Sequence, residues 1–261
     1  MKKTILLCAV ILLSTAGFTQ AQEGKLGGTL DFTWQSSYIW RGFDIYGEKN
    51  SAIQPSLDLD LYGTGLGAKV FWSRARGSGS ENLEELDLFL YYKNTIYEDQ
   101  PLAIDYKVGW GIYTYPDEPR SARDMQEAFA SISLPQLCPA GIVPSYTAIV
   151  MWPSEGDSAL NENGGMIHVF GLGYNLTCPD TPEHVLHLSA DFVYNDGVGG
   201  AYAANGTVDH DWSHMVYGLS TDFALSGNVI FTPGFYYQLS MDDSVNPENE
   251  AWVSLSLKYK F

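Results

Sequence analysis

Apolar and polar residues alternate with a period of two along most of this chain, and no other feature constrains its fold as strongly. One face of an extended segment at 251–261 carries Ala251, Val253, Leu255, Leu257, Tyr259 and Phe261. The other face carries Trp252, Ser254, Ser256, Lys258 and Lys260. A strand with one side in lipid and the other towards a polar lumen alternates in this way. The segment 29–42 repeats the pattern, which predicts membrane strands near both ends.

Twelve segments alternate in this way: 29–42, 51–62, 66–74, 83–93, 102–115, 125–134, 142–152, 165–176, 184–195, 212–224, 228–240 and 250–261. Most approach the 9–11 residues that a tilted membrane strand needs. An even number of strands can close into a ring that leaves no unpaired edge in lipid. We therefore predict an all-β fold, a transmembrane antiparallel β-barrel of about 12 strands, with 10 or 14 as the alternatives. A soluble β-sandwich is the competing interpretation.

The N-terminus has the pattern of a cleavable secretory signal. Lys2 and Lys3 precede an apolar stretch from Ile5 to Leu13, and small residues lead to a cleavage site after Ala21. The apolar stretch is too short to cross a bilayer as a helix, which takes about 20 residues. The sequence thus predicts a signal peptide at 1–21 and one barrel domain at 22–261, in the bacterial outer membrane.

The charge balance is strongly acidic. The chain has 14 Lys and Arg against 31 Asp and Glu, a net charge of −17, which becomes −19 without Lys2 and Lys3. A nucleic-acid-binding surface needs a basic face, so we expect no nucleic-acid partner.

The connections alternate between short turns and longer acidic loops. The short ones should lie on the periplasmic side and the long ones outside. Trp40, Trp72, Trp152 and Tyr194 should then sit at the outer ends of their strands, facing lipid. Leu257, Tyr259 and Phe261 form an apolar pattern that resembles the assembly signal of outer-membrane barrels.

Several short motifs occur in an informative order: SYIWRG at 37–42, AIQP at 52–55, EELDLFLYY at 84–92, YTYP at 113–116 and EAFAS at 127–131. In this order the sequence resembles the TorF family, whose members are classed as porins. The resemblance covers most of the first half and fades after about Leu134. It implies an outer-membrane barrel with a pore, and it does not imply a particular solute.

The polar strand faces should line the lumen of such a barrel. They carry nine acids and six bases: Asp31, Arg41, Asp58, Asp60, Lys69, Glu85, Asp87, Lys93, Asp105, Lys107, Glu127, Asp191, Asp222, Lys258 and Lys260. We expect Asp60 to lie opposite Lys69, and Lys258 and Lys260 to meet Asp31 where the barrel closes. The charges either neutralise one another in a plugged barrel or line a narrow passage with a weak preference for cations.

Cys138 and Cys178 fall in two short turns on the same side of the predicted barrel. The turns lie two strand spacings apart, about 10 Å, and would have to lean together to form a disulfide. A disulfide there would act as a structural staple, and we expect one.

The best cluster for catalysis is Asp209-His210-Asp211-Trp212-Ser213-His214 at the outer rim. It could serve acid–base or metal chemistry, but it is local to one loop, and neither G-x-S-x-G nor H-E-x-x-H occurs. We therefore expect no enzyme, no catalytic or cofactor-binding residues, no cofactor and no metal.

The sequence as a whole favours a porin-like channel for passive diffusion of ions or small polar solutes. Its expected partners are outer-membrane lipid, the barrel-insertion machinery and the solutes themselves. The alternatives are a closed structural or ligand-binding barrel and a hydrolase active at the rim.

Overall fold

The computed structural model describes residues 24–47, 50–77, 83–155, 164–178, 181–199, 202–203 and 206–261. The predicted signal peptide at 1–21 lies outside this range and stays a prediction. Among the described residues, no helix is long and apolar enough to cross a bilayer.

The described chain is almost entirely strand. Its elements are β1 (Gly27–Gln35), β2 (Ile39–Trp40), β3 (Phe43–Asp44), β4 (Ala52–Asp60), β5 (Leu66–Ala75), β6 (Glu85–Ile96), β7 (Ile104–Thr114), α1 (Arg120–Arg123), β8 (Met125–Ser133), β9 (Ile142–Pro153), β10 (Gly165–Cys178), β11 (Thr181–Asp196), β12 (His210–Thr221), β13 (Phe223–Ser226), β14 (Val229–Ser240) and β15 (Glu250–Lys260).

Twelve of these strands form a closed antiparallel wall, as the sequence predicts. The order around the ring is β1, β4 to β12, β14 and β15, with β15 returning to β1. The pairing of β12 with β14 closes the ring, because β13 continues β12 only as a short strand on β14. Each neighbouring pair is antiparallel, so the long connections gather at one end of the barrel, the loop end, and the short ones at the other, the turn end.

The two faces of the wall differ as the alternation requires. Along β15, the odd-numbered residues from Ala251 to Tyr259 are exposed on the outside, and Trp252, Ser254 and Ser256 are buried inside. Large apolar side chains are exposed on the outer face of nearly every wall strand, among them Phe32, Leu90, Phe170 and Phe235. Such a surface belongs in lipid.

The first strand is shorter than predicted. It leaves the wall after Gln35, so the predicted strand 29–42 divides into β1 and a hairpin of β2 and β3. Trp40 therefore does not face lipid, and its ring packs inside the barrel against Tyr113 and Tyr202. Trp152 and Tyr194 keep their outward positions at the loop ends of β9 and β11.

The register of the first turn-end hairpin also differs from the expected one. Asp58, rather than Asp60, lies opposite Lys69, and Asp60 lies opposite Gly67. The turn is centred one residue earlier than predicted, because Tyr62, Gly63 and Gly65 all take left-handed backbone conformations.

The structure describes only one side chain of the expected disulfide. Cys138 is half-buried and forms no disulfide with a described side chain, whereas the side chain of Cys178 lies outside the described part of the chain. The disulfide therefore stays a prediction.

Inside the barrel, aromatic rings lie flat over glycines of neighbouring strands. A Cβ atom on Gly111 would come within 2.4 Å of the ring of Phe89, which lies directly opposite on β6. Gly67 and Gly109 are covered in the same way by Tyr91 and Phe129. These glycines let large rings fold down against the wall.

We expect Gly111→Ala to lower the free energy of unfolding by about 1–3 kcal/mol, because the added methyl group must displace the Phe89 ring. Thermal unfolding followed by circular dichroism measures the effect. Gly173→Ala is the matched control, since its Cβ would have no neighbour closer than 3.9 Å. Equal effects of the two substitutions would contradict this account.

Candidate functional site

The hairpin of β2 and β3 folds into the barrel from the loop end. It belongs to the loop L1, defined here as residues 36–47. Arg41 and Gly42 form its two-residue turn, with φ of 50° and 98°. Positive φ at both central residues is typical of a type I′ hairpin turn, in which arginine is unusual. The strain at Arg41 indicates that its side chain is held by strong contacts elsewhere.

One side of this turn is bound to the wall near β14. The carbonyl oxygen of Gly42 accepts a hydrogen bond from Gln238 Nε2 at 2.8 Å and another from Asn246 Nδ2 at 3.2 Å. Any side chain at position 42 would collide with Val245 and His214, within 2.6–2.7 Å. Gly42 is therefore required by both its backbone conformation and its close approach to the wall.

The other side of the turn reaches the far wall. The guanidinium of Arg41 forms an ion pair with Glu127 on β8 and contacts the sulfur of Met151 on β9. It also donates to the Tyr113 hydroxyl at 3.2 Å, and that hydroxyl donates to Glu127 at 2.7 Å. Five wall strands separate β1 from β9 in either direction around the ring. L1 consequently crosses the lumen from one wall to the other.

Arg41 remains charged in this position. Burial lowers the pKa of the Arg41 guanidinium, but Tyr113 and Glu127 raise it, and the pKa lies above its ordinary value. The ring of Trp40 lies 4.6 Å from the guanidinium carbon and adds a cation–π contact.

Two further carboxylates lie on the inward face of β6 beside this ion pair. Glu85 is 1% exposed and Asp87 is 3% exposed. The Tyr115 hydroxyl donates to Glu85 at 3.2 Å, and Tyr38 of L1 also hydrogen-bonds to it. Burial, followed by the charge of Glu85, raises the pKa of Tyr38 well above its usual range, so this phenol stays a proton donor.

Apolar and aromatic side chains fill the rest of the loop end. One buried cluster joins Tyr113 and Met151 of the wall to Val198, and a second joins Tyr38 and Tyr46 of L1 to Ala52 and other wall residues. Trp40 packs against both, and against a third cluster around Phe43. The loop end of the lumen is thus a packed interior that surrounds a small set of buried charges.

The structure sorts the predicted lumen residues along the barrel axis. Near the loop end lie Arg41, Glu85, Asp87 and Glu127; around the middle lie Asp31 and Asp191; towards the turn end lie Asp58, Asp60, Lys69, Lys93, Asp105, Lys107, Asp222, Lys258 and Lys260. Lys69 lies nearest to the buried acids, since it is opposite Phe89 and acts electrostatically on Asp87, and the other lysines of the predicted set lie farther towards the turn end.

The turn-end charges form looser contacts than those at the loop end. Lys93 pairs with Asp60 at 3.9 Å, and Lys107 lies 3.8 Å from the centre of the Tyr91 ring. The Tyr91 hydroxyl donates to Asp58 at 2.5 Å. Lys93 and Lys107 are directly opposite each other on β6 and β7, an unfavourable pair of like charges.

Where β15 pairs with β1, Lys258 lies opposite Asp31, as predicted from the sequence, whereas Lys260 lies opposite Thr29. The hydrogen bonds differ from the expected contact, because Lys258 Nζ donates to Thr232 at 3.2 Å. Asp31 accepts from Thr33 at 2.7 Å and from Ser256 at 2.8 Å.

The histidines of the rim cluster do not form one site. His210 is exposed and pairs with Asp196 at 2.5 Å. His214 is 2% exposed beneath Gly42, with its Nδ1 2.8 Å from Ser213 Oγ. Among the described residues, no three His, Cys, Asp or Glu side chains are grouped in a way that could hold a metal ion.

The sequence does not reveal the polar residues that hold L1 in place. Gln238 lies on a wall strand outside every motif, and Tyr113 and Tyr115 belong to the YTYP motif, which gives no sign of their contacts with Arg41 and Glu85. The one available signal was Arg41-Gly42, which is a favourable pair for a hairpin turn only if arginine tolerates a positive φ.

A family match covers most of the chain. Residues 25–229 match the family described as "Bacterial protein of unknown function (Gcw_chp)". The chain belongs to this family. The match includes L1 and the four predicted lumen charges near the loop end, Arg41, Glu85, Asp87 and Glu127. The description of this family does not mention TorF, and the resemblance to the TorF family therefore remains a prediction.

Solved structures show the same architecture. The chain is similar to the KdgM porin, with 6% identity, a TM-score of 0.54 and coverage of 89% of this chain and 99% of that one. It is also similar to the NanC porin, with 8% identity, a TM-score of 0.53 and coverage of 89% of this chain and 100% of that one. A third similar structure is the COG4313 outer membrane channel from Pseudomonas putida F1, with 12% identity, a TM-score of 0.51 and coverage of 94% of this chain and 98% of that one. No curated protein matches the chain.

These likenesses, at such low identity, show the fold. The closed wall of twelve antiparallel strands and its apolar outer face are those of an outer-membrane β-barrel protein, as the sequence predicts.

We expect Arg41→Ala to cost about 3–5 kcal/mol of unfolding free energy, because it leaves Glu127 buried without its partner. Thermal unfolding and limited proteolysis within L1 measure the loss. Arg74→Ala is the control: Arg74 pairs with Glu84 at 3.4 Å but is half exposed, so its loss should cost about 1 kcal/mol or less. Comparable losses in the two variants would contradict the anchoring role of Arg41.

Proposed function

We propose that this protein is a porin-like channel through which small ions and polar solutes diffuse, with a weak preference for cations. The observation that carries the proposal is L1, which crosses the lumen and places Arg41 among three buried carboxylates. A loop folded into a barrel narrows the passage, and the sign of the charges around the narrowest part selects the ions that pass.

The cation preference follows from the charge balance at L1. Arg41 is paired with Glu127, which leaves the carboxylates of Glu85 and Asp87 as an acidic excess beside it. Arg123 acts on Glu85 and Lys69 on Asp87 from a distance, without forming an ion pair with either, and the other lysines of the lumen lie farther away. A permeating cation would be stabilised at L1, and an anion would be repelled there.

A closed barrel that does not conduct is the second candidate. It is favoured by the apolar clusters that join L1 to the wall and fill the loop end. In that case L1 would act as a fixed plug, and the protein would serve a structural or ligand-binding role without flux.

The ligands of similar structures do not decide between these candidates. The KdgM porin has been solved in complex with disordered oligogalacturonate, which is an anionic sugar chain. The acids at the loop end of the present barrel do not suit such a ligand, and we propose no polyanionic substrate for it.

Outer-membrane lipid and the barrel-insertion machinery are the proposed partners during assembly. Leu257, Tyr259 and Phe261 support this proposal, because they stand outward on or just after β15 with 46–50% of each side chain exposed. These outward side chains are accessible to the barrel-insertion machinery before lipid surrounds the barrel.

The refolded full-length barrel in planar bilayers should give discrete conductance steps, and its reversal potential in a KCl gradient should have the sign of cation selectivity. A variant in which two glycines replace residues 38–45 should conduct several times more, because the loop no longer crosses the lumen. Steps only in the shortened variant would support the closed barrel. Absence of steps in both would overturn the channel.

We expect Tyr259→Ser combined with Phe261→Ser to slow insertion of the barrel into membranes, and to leave the conductance of the inserted fraction unchanged. The change of electrophoretic mobility on heating follows insertion with time. Leu225→Ser, another exposed outward residue on β13, serves as the control. Insertion at the wild-type rate in the double variant would contradict the recognition of this face.

A further inference from the structure

Glu85 and Asp87 are almost fully buried, but their hydrogen-bond partners do not satisfy all of their carboxylate oxygens. The two residues are two positions apart on β6 and therefore share its inward face. Glu85 Oε2 and Asp87 Oδ1 have no hydrogen-bond partner among the described residues. In its ionised form, a buried carboxylate with an oxygen that accepts no hydrogen bond is strongly unfavourable unless a positive charge lies close to it.

The basic residues nearby act on these carboxylates from a distance, Arg41 and Arg123 on Glu85, and Lys69 and Arg41 on Asp87, but their closest contacts are with other groups. Arg41 pairs with Glu127, and Lys69 Nζ lies 5.9 Å from the Phe71 ring centre. The Arg123 guanidinium faces the rings of Tyr115 and Tyr202 at 5.8 and 5.9 Å. Among the ion pairs of the described residues, none includes Glu85 or Asp87. In their ionised form these two carboxylates therefore have no directly paired cation within the described chain, and either a bound cation or a proton must supply the missing positive charge.

We infer that Glu85 and Asp87 form a binding site for one monovalent alkali cation, Na⁺ or K⁺. Carboxylate oxygens are hard ligands, which suit alkali and alkaline-earth cations better than transition metals. A dedicated Ca²⁺ site takes six to eight oxygens and Mg²⁺ demands an octahedron. Two carboxylates, with no third metal-binding side chain grouped beside them in the described chain, provide too few oxygens for either of these coordination shells, so an alkali cation with less strict demands fits them better.

The cation would also hold L1 in place. Tyr38 of L1 hydrogen-bonds to Glu85, so neutralising this carboxylate pair stabilises the contact between loop and wall. The inference rests on the proposed function in that it names the ligand class of the same constriction, but binding itself does not require conduction.

The test measures the melting temperature of the refolded full-length protein in detergent, in NaCl, KCl or N-methylglucamine chloride at equal ionic strength. Na⁺ or K⁺ should raise the melting temperature by about 2–4 °C, saturably, relative to the bulky organic cation. Asp87→Asn should abolish this rise and should melt higher than the wild type in N-methylglucamine, since an unpaired buried charge has been removed.

Asp105→Asn is the matched control, because Asp105 also faces the lumen, on β7, but accepts a hydrogen bond from Thr95 at 2.7 Å. It should keep the full rise with Na⁺ or K⁺. Identical melting in all three salts would overturn the site, as would a rise that survives Asp87→Asn or disappears in Asp105→Asn. If Asp87→Asn does not fold, Glu85→Gln and the wild-type titration decide the question in the same way.

The two proposals can fail separately. If the barrel does not conduct but is stabilised by alkali cations, the binding site is supported and the channel proposal is wrong. If the barrel conducts but has the same melting temperature in every salt, the channel is supported and the binding-site proposal is wrong.

Discussion

The hydrogen-bonding demand of the backbone in lipid governs this structure. No water is available there to satisfy an amide N–H or a carbonyl group, so each strand must pair on both sides and the sheet must close. The closing ladder runs between β12 and β14, from the pair His214–Ser240 to the pair Ser220–Gly234. Once the wall is closed, side chains can point only into lipid or into the lumen, and the sequence has to alternate accordingly.

Closure creates an interior that the chain fills unevenly. At the loop end, L1 and the aromatic clusters exclude water, so the few charges that remain there interact strongly. At the turn end, lysines and aspartates are more exposed and their pairs are longer, as in the 3.9 Å contact of Lys93 with Asp60. The chemistry of the barrel is therefore concentrated around Arg41 and the carboxylates near it.

The wall was predictable from the sequence because alternation is a local property. The same alternation also led to the main wrong prediction, which extended the first wall strand to residue 42. Tyr38 and Trp40 continue the apolar positions of β1, and Arg41 continues the polar ones. The alternation is interrupted only by Ser36 and Ile39, which is too small a break to mark the departure of the chain from the wall. Alternation also assigns a residue to a face without giving its neighbours across the lumen. It therefore placed Glu127 and Asp87 on polar faces, but it could not show that Arg41 meets the first and leaves the second unpaired.

The anchors of L1 have a consequence for the order of folding. Arg41 is 86 residues from Glu127, and Gly42 is 196 residues from Gln238. Contacts of such long sequence separation form late, after the entropy of closing the intervening chain has been lost. L1 therefore docks only when both of its opposite walls exist, and the barrel encloses a wider, wetter interior while it assembles than it does when folding is complete.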